Sequence, residues 1–310
     1  MTANMFIMSL HATLIAAAPL LFASVGAVYS ERSGVSNLGI EGIMLMGAVS
    51  GFMAAVRTGS LAGAILTVIL VGTLIGLAYA FLTVTLHANQ TVCGLALTIF
   101  GEGLSAFLGS SVSGITAPLS VVRIPIPILS KIPVLGTILF NHDIFIYALY
   151  LIIPLSCLYL FRTKPGLALR AVGENPAAVD DTGRNVAGLR YGYVIFGCIM
   201  AAIGGAYLSL VYAPSWTNGM TAGKGWIAVA LVIFSTWHPA LAAVGALLFG
   251  GIDVFSTRIQ AIGVNIPAYF IRMLPYLFTI VVLILYTGDF AKRKVSAPKA
   301  LGVPYDREER

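Results

Sequence analysis

Long stretches of this chain carry no charge. Residues 1–30 contain no Asp, Glu, Lys or Arg, and between Thr58 and Val122 there is no Lys or Arg and the only acid is Glu102. Residues 144–161, 191–223, 225–252 and 273–288 are uncharged too. A helix crossing the bilayer core needs about 20 mostly apolar residues, and each of the longer runs holds one or more such helices. The chain reads as an all-α polytopic membrane protein with about nine transmembrane helices, within a range of about eight to ten. A β-barrel would show short alternating segments instead.

Composition closes off the alternatives. Charged residues are 10% of the 310 and apolar residues 58%, with a mean hydropathy of +0.94. A soluble domain carries about 25% charge, so a soluble enzyme, a disordered chain and a nucleic-acid binder are excluded. The net charge of +6 and pI of about 9.3 sit in loops between apolar segments, where they report topology. The N-terminus has no basic stretch before its apolar run, so it reads as a first membrane helix. Cys93, Cys157 and Cys198 lie in apolar segments without metal or redox spacing and read as small hydrophobes. The four histidines, at span ends, read as interface or packing residues.

The expected spans are 9–30, 39–57, 61–86, 91–110, 144–161, 191–212, 225–237, 240–256 and 267–287, within one transmembrane domain over 1–290. The run 225–237 would reach only about 20 Å and is followed by Pro239, which suggests a broken or re-entrant helix. Small residues four apart (Gly47/Gly51, Gly59/Gly63, Gly72/Gly76, Ala246/Gly250) predict close helix contacts. Two polar stretches interrupt the pattern, at 111–143 and 161–190. The second has Arg162, Lys164, Arg170, Arg184 and Arg190, and the tail 291–310 adds six more basic residues. The excess of Lys and Arg places both on the cytoplasmic side and the N-terminus and 111–143 outside.

No catalytic motif is present. Gly219–Lys224 has three residues between its glycines where a phosphate loop has four, and Gly225 stands where a Ser or Thr should follow. The chain therefore has no ATPase site of its own and no metal or cofactor site. Polar residues inside or beside apolar runs mark a path or a partner: Asn37, Glu41, Asn89, Gln90 and Glu102. Glu41 also reads as a residue that interacts with backbone amides at a helix start. In the 161–190 loop, Gly173 and Glu174 end one element. Asn175 caps, and Pro176 opens, a short helix over Ala177 to about Thr182, which Gly183 stops.

At this loop the chain becomes recognisable. Gly166–Leu210 resembles the permeases of ABC importers in the branched-chain amino acid/ribose group, and within it the nucleoside or simple-sugar branch. Gly34–Ala48, Ala88–Leu97, Ile132–Gly136 and Leu274–Leu283 are similar to the same branch, in order along nearly the whole chain. Glu102 and the Asp180–Asp181 pair depart from the branch pattern.

The resemblance implies a type II importer-like permease in a bacterial or archaeal plasma membrane. Its partners would be an ABC ATP-binding subunit, which holds the ATP and Mg²⁺, a second identical or homologous permease, and an extracytoplasmic binding protein. A nucleoside or related small polar solute would be carried by alternating access. The loop helix would couple to the ATPase through Gly173, Glu174, Asn175, Pro176, Asp180 and Arg184. A stand-alone transporter driven by an ion gradient, with Glu102 as its ion site, is the alternative reading.

Overall fold

The computed structural model describes residues 3–261 apart from 118 and 120, six positions at 270, 273, 274, 277, 280 and 281, and residues 297–307. The expected span 267–287, Arg272 and the basic run Lys292–Lys294 lie outside the described residues. Eleven α-helices are formed among the described residues: α1 (Ala3–Arg32), α2 (Ile40–Thr58), α3 (Leu61–Ala80), α4 (Gln90–Gly109), α5 (Leu135–Leu139), α6 (Ile144–Arg162), α7 (Lys164–Glu174), α8 (Pro176–Asp181), α9 (Val186–Tyr207), α10 (Lys224–Phe234) and α11 (Pro239–Ala261). Five-residue π turns extend α3 through Thr85 and α9 through Tyr212. Two short strands, β1 (Ile124–Pro125) and β2 (Asn141–His142), pair antiparallel in the 111–143 loop, with Ile124 opposite His142.

Seven of these helices are long and apolar enough to cross a membrane. They cover the expected spans except 225–237 and 267–287. In the first of these, suspected of being too short to cross, only Lys224–Phe234 is helical, and 11 residues reach about 16 Å, half a crossing.

The bundle is organised around α9, which packs against α1, α2 and α3. The contacts are backbone-close, as small residues permit. A Cβ on Gly205 would lie 1.8 Å from the Met44 carbonyl oxygen, and one on Gly47 2.1 Å from that of Ala202. Gly72 and Gly76 of α3 meet α9 at Ile199 and Ile195, and Gly250 of α11 meets α1 at Ala17. Three of the four expected small-residue pairs thus make helix contacts. The fourth does not: Gly59, at φ +61°, is the left-handed residue ending α2 and faces open space. That pair belongs to the α2–α3 turn.

α2 runs alongside α9 from the middle of the latter. Asn37, just before α2, donates to Cys198 Sγ (3.6 Å), about 18 Å along α9 by helical rise. Farther along, Ser209 Oγ donates to the Ala48 carbonyl (2.8 Å). The segment 33–39 therefore descends into the bundle before α2 begins.

The 161–190 loop and residues 297–307 share one face with the end of α1: Ala300 N donates to Gly173 O (2.8 Å), and Gly173 sits against the Arg32 carbonyl. The 111–143 loop lies at the opposite face. There His11 of α1 stacks on His142 with centroids 4.3 Å apart, and its Nδ1 pairs with the Thr137 carbonyl.

Candidate functional site

Inside the bundle, the start of α2 faces the start of α10. The carboxylate of Glu41, 4% exposed, accepts hydrogen bonds from Gly225 N (2.6 Å), Gly223 N (2.9 Å) and Thr221 Oγ1 (2.5 Å). The free amides at a helix N-terminus carry partial positive charge and favour an anion. Gly223, at φ +81°, turns the chain so that its amide and that of Gly225 converge on one carboxylate. The glycine run that superficially resembles a phosphate loop thus cradles the protein's own Glu41. From this point α2 runs away from the α7–α8 face and the half-depth α10 runs back towards it, so two helices of opposite direction start at one place. Lys224 leaves the cradle on the other side, pairing with Asp253 of α11 (3.2 Å).

The other polar residues of this region divide into two groups. Asn37 and Gln90 are buried. Asn37 Oδ1 accepts from Gly39 N (2.8 Å) and Gln90 Oε1 from Ser36 N (2.7 Å), so both hold the descending segment 33–39. Tyr79 joins them by donating its hydroxyl to the Ser36 and Gln90 carbonyls. Asn89 is exposed and caps α4, accepting from Val92 N (3.1 Å). Glu102 is exposed in mid-α4, one turn on from the exposed Ile99. The structure therefore gathers Asn37, Glu41 and Gln90 around the starts of α2 and α4, and sets Asn89 and Glu102 on the outer surface of α4.

The loop between α6 and α9 holds two helices, α7 and α8, of which the sequence showed only the second. Thr163 Oγ1 caps α7 by accepting from Gly166 N, and Pro165 fits its first turn. Asn175 Oδ1 accepts from Ala178 N (3.1 Å), Pro176 opens α8, and Gly183 (φ +79°) follows its end. Val172 and Val179, with Val186 of α9, form a small apolar cluster that seats α8. Glu174, Asn175 and Arg184 point to solvent, Gly173 is buried against α1, and Asp180 is half-buried.

A second contact with α1 was not legible in the sequence. Residues 235–238 link α10 to α11 through two consecutive left-handed residues, Thr236 (φ +52°) and Trp237 (φ +55°). Arg32 Nη2 and Nε donate to their two carbonyls, each at 3.2 Å, and Trp237 Nε1 donates to Glu31 Oε2 (2.6 Å). The next residue, His238, stacks on Phe161 of α6 (4.7 Å), and Arg170 of α7 lies over the same ring. Burial, and then the Arg32 charge, hold the His238 imidazole below its ordinary range. The sequence signal was the Glu31–Arg32 pair closing a charge-free run. The end of α1, α7 and the α10–α11 turn are thus one connected unit.

Known proteins place this arrangement. Residues 9–286 match the family model of the branched-chain amino acid transport system, permease component. A Haloferax volcanii protein, provisionally assigned as a glucose ABC transporter permease, is 37% identical over 96% of this chain and 97% of its own length. A guanosine ABC transporter permease of Bacillus subtilis is 36% identical, with 96% of each chain covered, and a nucleoside ABC transporter permease of Lactococcus lactis 36%, with 94% of each. A solved metal-chelate type ABC transporter, itself provisionally assigned, has a similar fold in an inward-facing conformation. Its TM-score is 0.53 at 15% identity, over 89% of this chain and 85% of that one. The ion-gradient alternative gives way to these matches. The chain belongs to the branched-chain amino acid transport permease family, as a multi-pass membrane component of an ABC importer that does not itself hydrolyse ATP.

Proposed function

We propose that this permease carries nucleosides or chemically related simple sugars inward, powered by ATP-binding subunits that dock on α7 and α8. The observation that carries the coupling role is the seating of α8. It is capped by Asn175, fixed to α9 by the valine cluster, and joined through Gly173 to the end of α1. A displacement of α8 is therefore delivered to α1 and, through Arg32, to the α10–α11 turn. Gly173, Glu174, Asn175, Pro176, Asp180 and Arg184 form this contact region on the cytoplasmic side, with residues 111–143 on the outside. Two packings of the bundle, biased by the docked ATPases, give alternating access.

The path runs beside α4. A carboxylate facing hydrocarbon in mid-span is costly, so Glu102 faces water, solute or the second permease, which is a copy or a homologue of this chain. Asn89 lies on the same helix at its inner end. Asn37, Glu41 and Gln90 shape the path by fixing the helix starts behind it. An extracytoplasmic binding protein delivers the solute, and the nucleoside and glucose permeases among the relatives support this solute range.

The test is purification from native membranes in mild detergent, followed by uptake of labelled guanosine and glucose in vesicles. A stoichiometric ATPase and ATP-dependent uptake of one of the two are expected. Uptake without any ATPase, abolished by a protonophore, would overturn the reading.

A further inference from the structure

Residues 297–307 are stitched to the α7–α8 face at successive points. Ala300 N donates to Gly173 O (2.8 Å) and Gly302 N to Gly34 O (3.1 Å). Arg190 of α9, only 1% exposed, donates from Nε to the Ser33 carbonyl (3.2 Å) and from Nη1 to the Val303 carbonyl (3.3 Å). Tyr305 packs on the Val172–Val179–Val186 cluster and donates its hydroxyl to Asp180 Oδ2 (3.1 Å), the same oxygen that Arg307 Nε reaches at 3.1 Å. One short segment thus ties together the α1–α2 turn, α7, α8 and α9.

Two details show that these contacts are built in. Gly34 has φ +87°, and a Cβ there would meet Arg190 Nη2 at 3.0 Å and Ala300 O at 3.1 Å. The buried Arg190 guanidinium takes its partners from main-chain carbonyls, one of which belongs to the segment. Without it, Nη1 would join Nη2, which already has no partner, and a buried charge with unmet donors is strongly destabilising.

α8 is six residues, about 9 Å long, whereas each side of a specific protein interface takes in about 20–30 residues. Tyr305 and Arg307 lie directly beside it, and Val303 and the Arg307 side chain are exposed.

We propose that residues 297–307 are part of the ATPase-docking surface, setting the pose of α8 and contacting the same ATP-binding subunit. This rests on the coupling role proposed above for α7 and α8. The test uses the whole transporter in native membranes, with a photo-crosslinking amino acid at Val303 and, separately, the double variant Tyr305→Phe, Arg307→Gln. Crosslinks from position 303 to the ATP-binding subunit are expected. The double variant, inserted at the normal level, should bind that subunit about fivefold more weakly, the loss of about one net hydrogen bond.

Crosslinks confined to lipid or to the permease itself, or unchanged ATPase binding in the double variant, would overturn the proposal. Wild-type membranes separate the two readings. If the ATPase does not co-purify with the wild-type chain, the coupling role itself fails. If it does and either result above is negative, only the role of residues 297–307 fails.

Discussion

Glu41 and Gly225 lie 184 positions apart in the chain, yet the carboxylate of one accepts the amide proton of the other at 2.6 Å. This bond and its two companions allow the start of α10 to be buried. Glu41→Ala leaves the Gly223 and Gly225 amides and the Thr221 hydroxyl without their acceptor. A cost of at least about 4 kcal/mol is expected, since each of the three hydrogen bonds to the charged group contributes roughly 1.5–3 kcal/mol net. Glu41→Gln keeps one acceptor oxygen and should lose less. Thermal unfolding in detergent would rank the three as wild type, Gln, Ala. Equal midpoints would remove Glu41 from this role.

Glu102 makes the opposite case. Its side chain is exposed and has no partner among the described residues. Glu102→Gln should leave the unfolding free energy within about 0.5 kcal/mol of wild type, and the midpoint nearly unmoved, as for a surface change, while altering uptake rate or solute preference. Unchanged transport with a lowered midpoint would instead make Glu102 a structural residue.

The cap on α8 can be weakened without touching the membrane spans. Asn175→Ala removes the acceptor for Ala178 N and should cost about 1 kcal/mol locally. Solute-stimulated ATP hydrolysis should fall, with insertion unchanged. Asn175→Asp, which restores a capping oxygen, should recover most of the stimulation, and failure to do so would point to a direct contact of the amide.

Gly205 has no room for a side chain, because a Cβ would fall 1.8 Å from the Met44 carbonyl oxygen. Gly205→Ala must push α2 away from α9, and a loss of at least about 3 kcal/mol or failure to accumulate in the membrane is expected. Gly59→Ala is the control. It has space around it but a left-handed backbone, and should cost only about 1 kcal/mol.

At the opposite face, burial holds the His142 imidazole below its ordinary range. The Ile138 carbonyl and Asp143 oppose that shift, and Arg123 reinforces it. The unfolded chain therefore takes up a proton first as pH falls through about 6.5. Stability should drop between that value and the lower folded one, then level off. Amide-exchange protection in the 137–147 segment, taken relative to the intrinsic rate at each pH, should fall below about pH 6.5, and His142→Gln should weaken the dependence. Protection that does not change with pH in the wild type would refute the assignment.

The membrane spans and the capped α8 were legible because each is a local pattern: an apolar run, or Asn-Pro followed six residues on by Thr-Gly. The role of Glu41 was half legible. A glutamate beside glycines at a helix start announces backbone amides, but the amides belong to α10 and not to α2. The half-depth of α10 was visible as a run too short to cross, whereas its continuation from the cradle was not. The Arg190 contacts were not legible, and Glu31 was marked only as half of a charged pair closing an apolar run, with nothing to name its partner. Their partners are main-chain carbonyls of distant segments or a tryptophan 206 positions away, and carbonyls leave no mark in a sequence.

The glycine contacts around α9 also limit how the bundle can move. Where backbone lies against backbone, as at Gly47, Gly72, Gly76 and Gly205, there are no intervening side chains to change rotamer and absorb a shift. A slide of α9 past α2 or α3 by even one residue would bring a Cβ onto a carbonyl. These three helices therefore travel as a single rigid piece, and whatever opens and closes this permease does so at the edges of that piece.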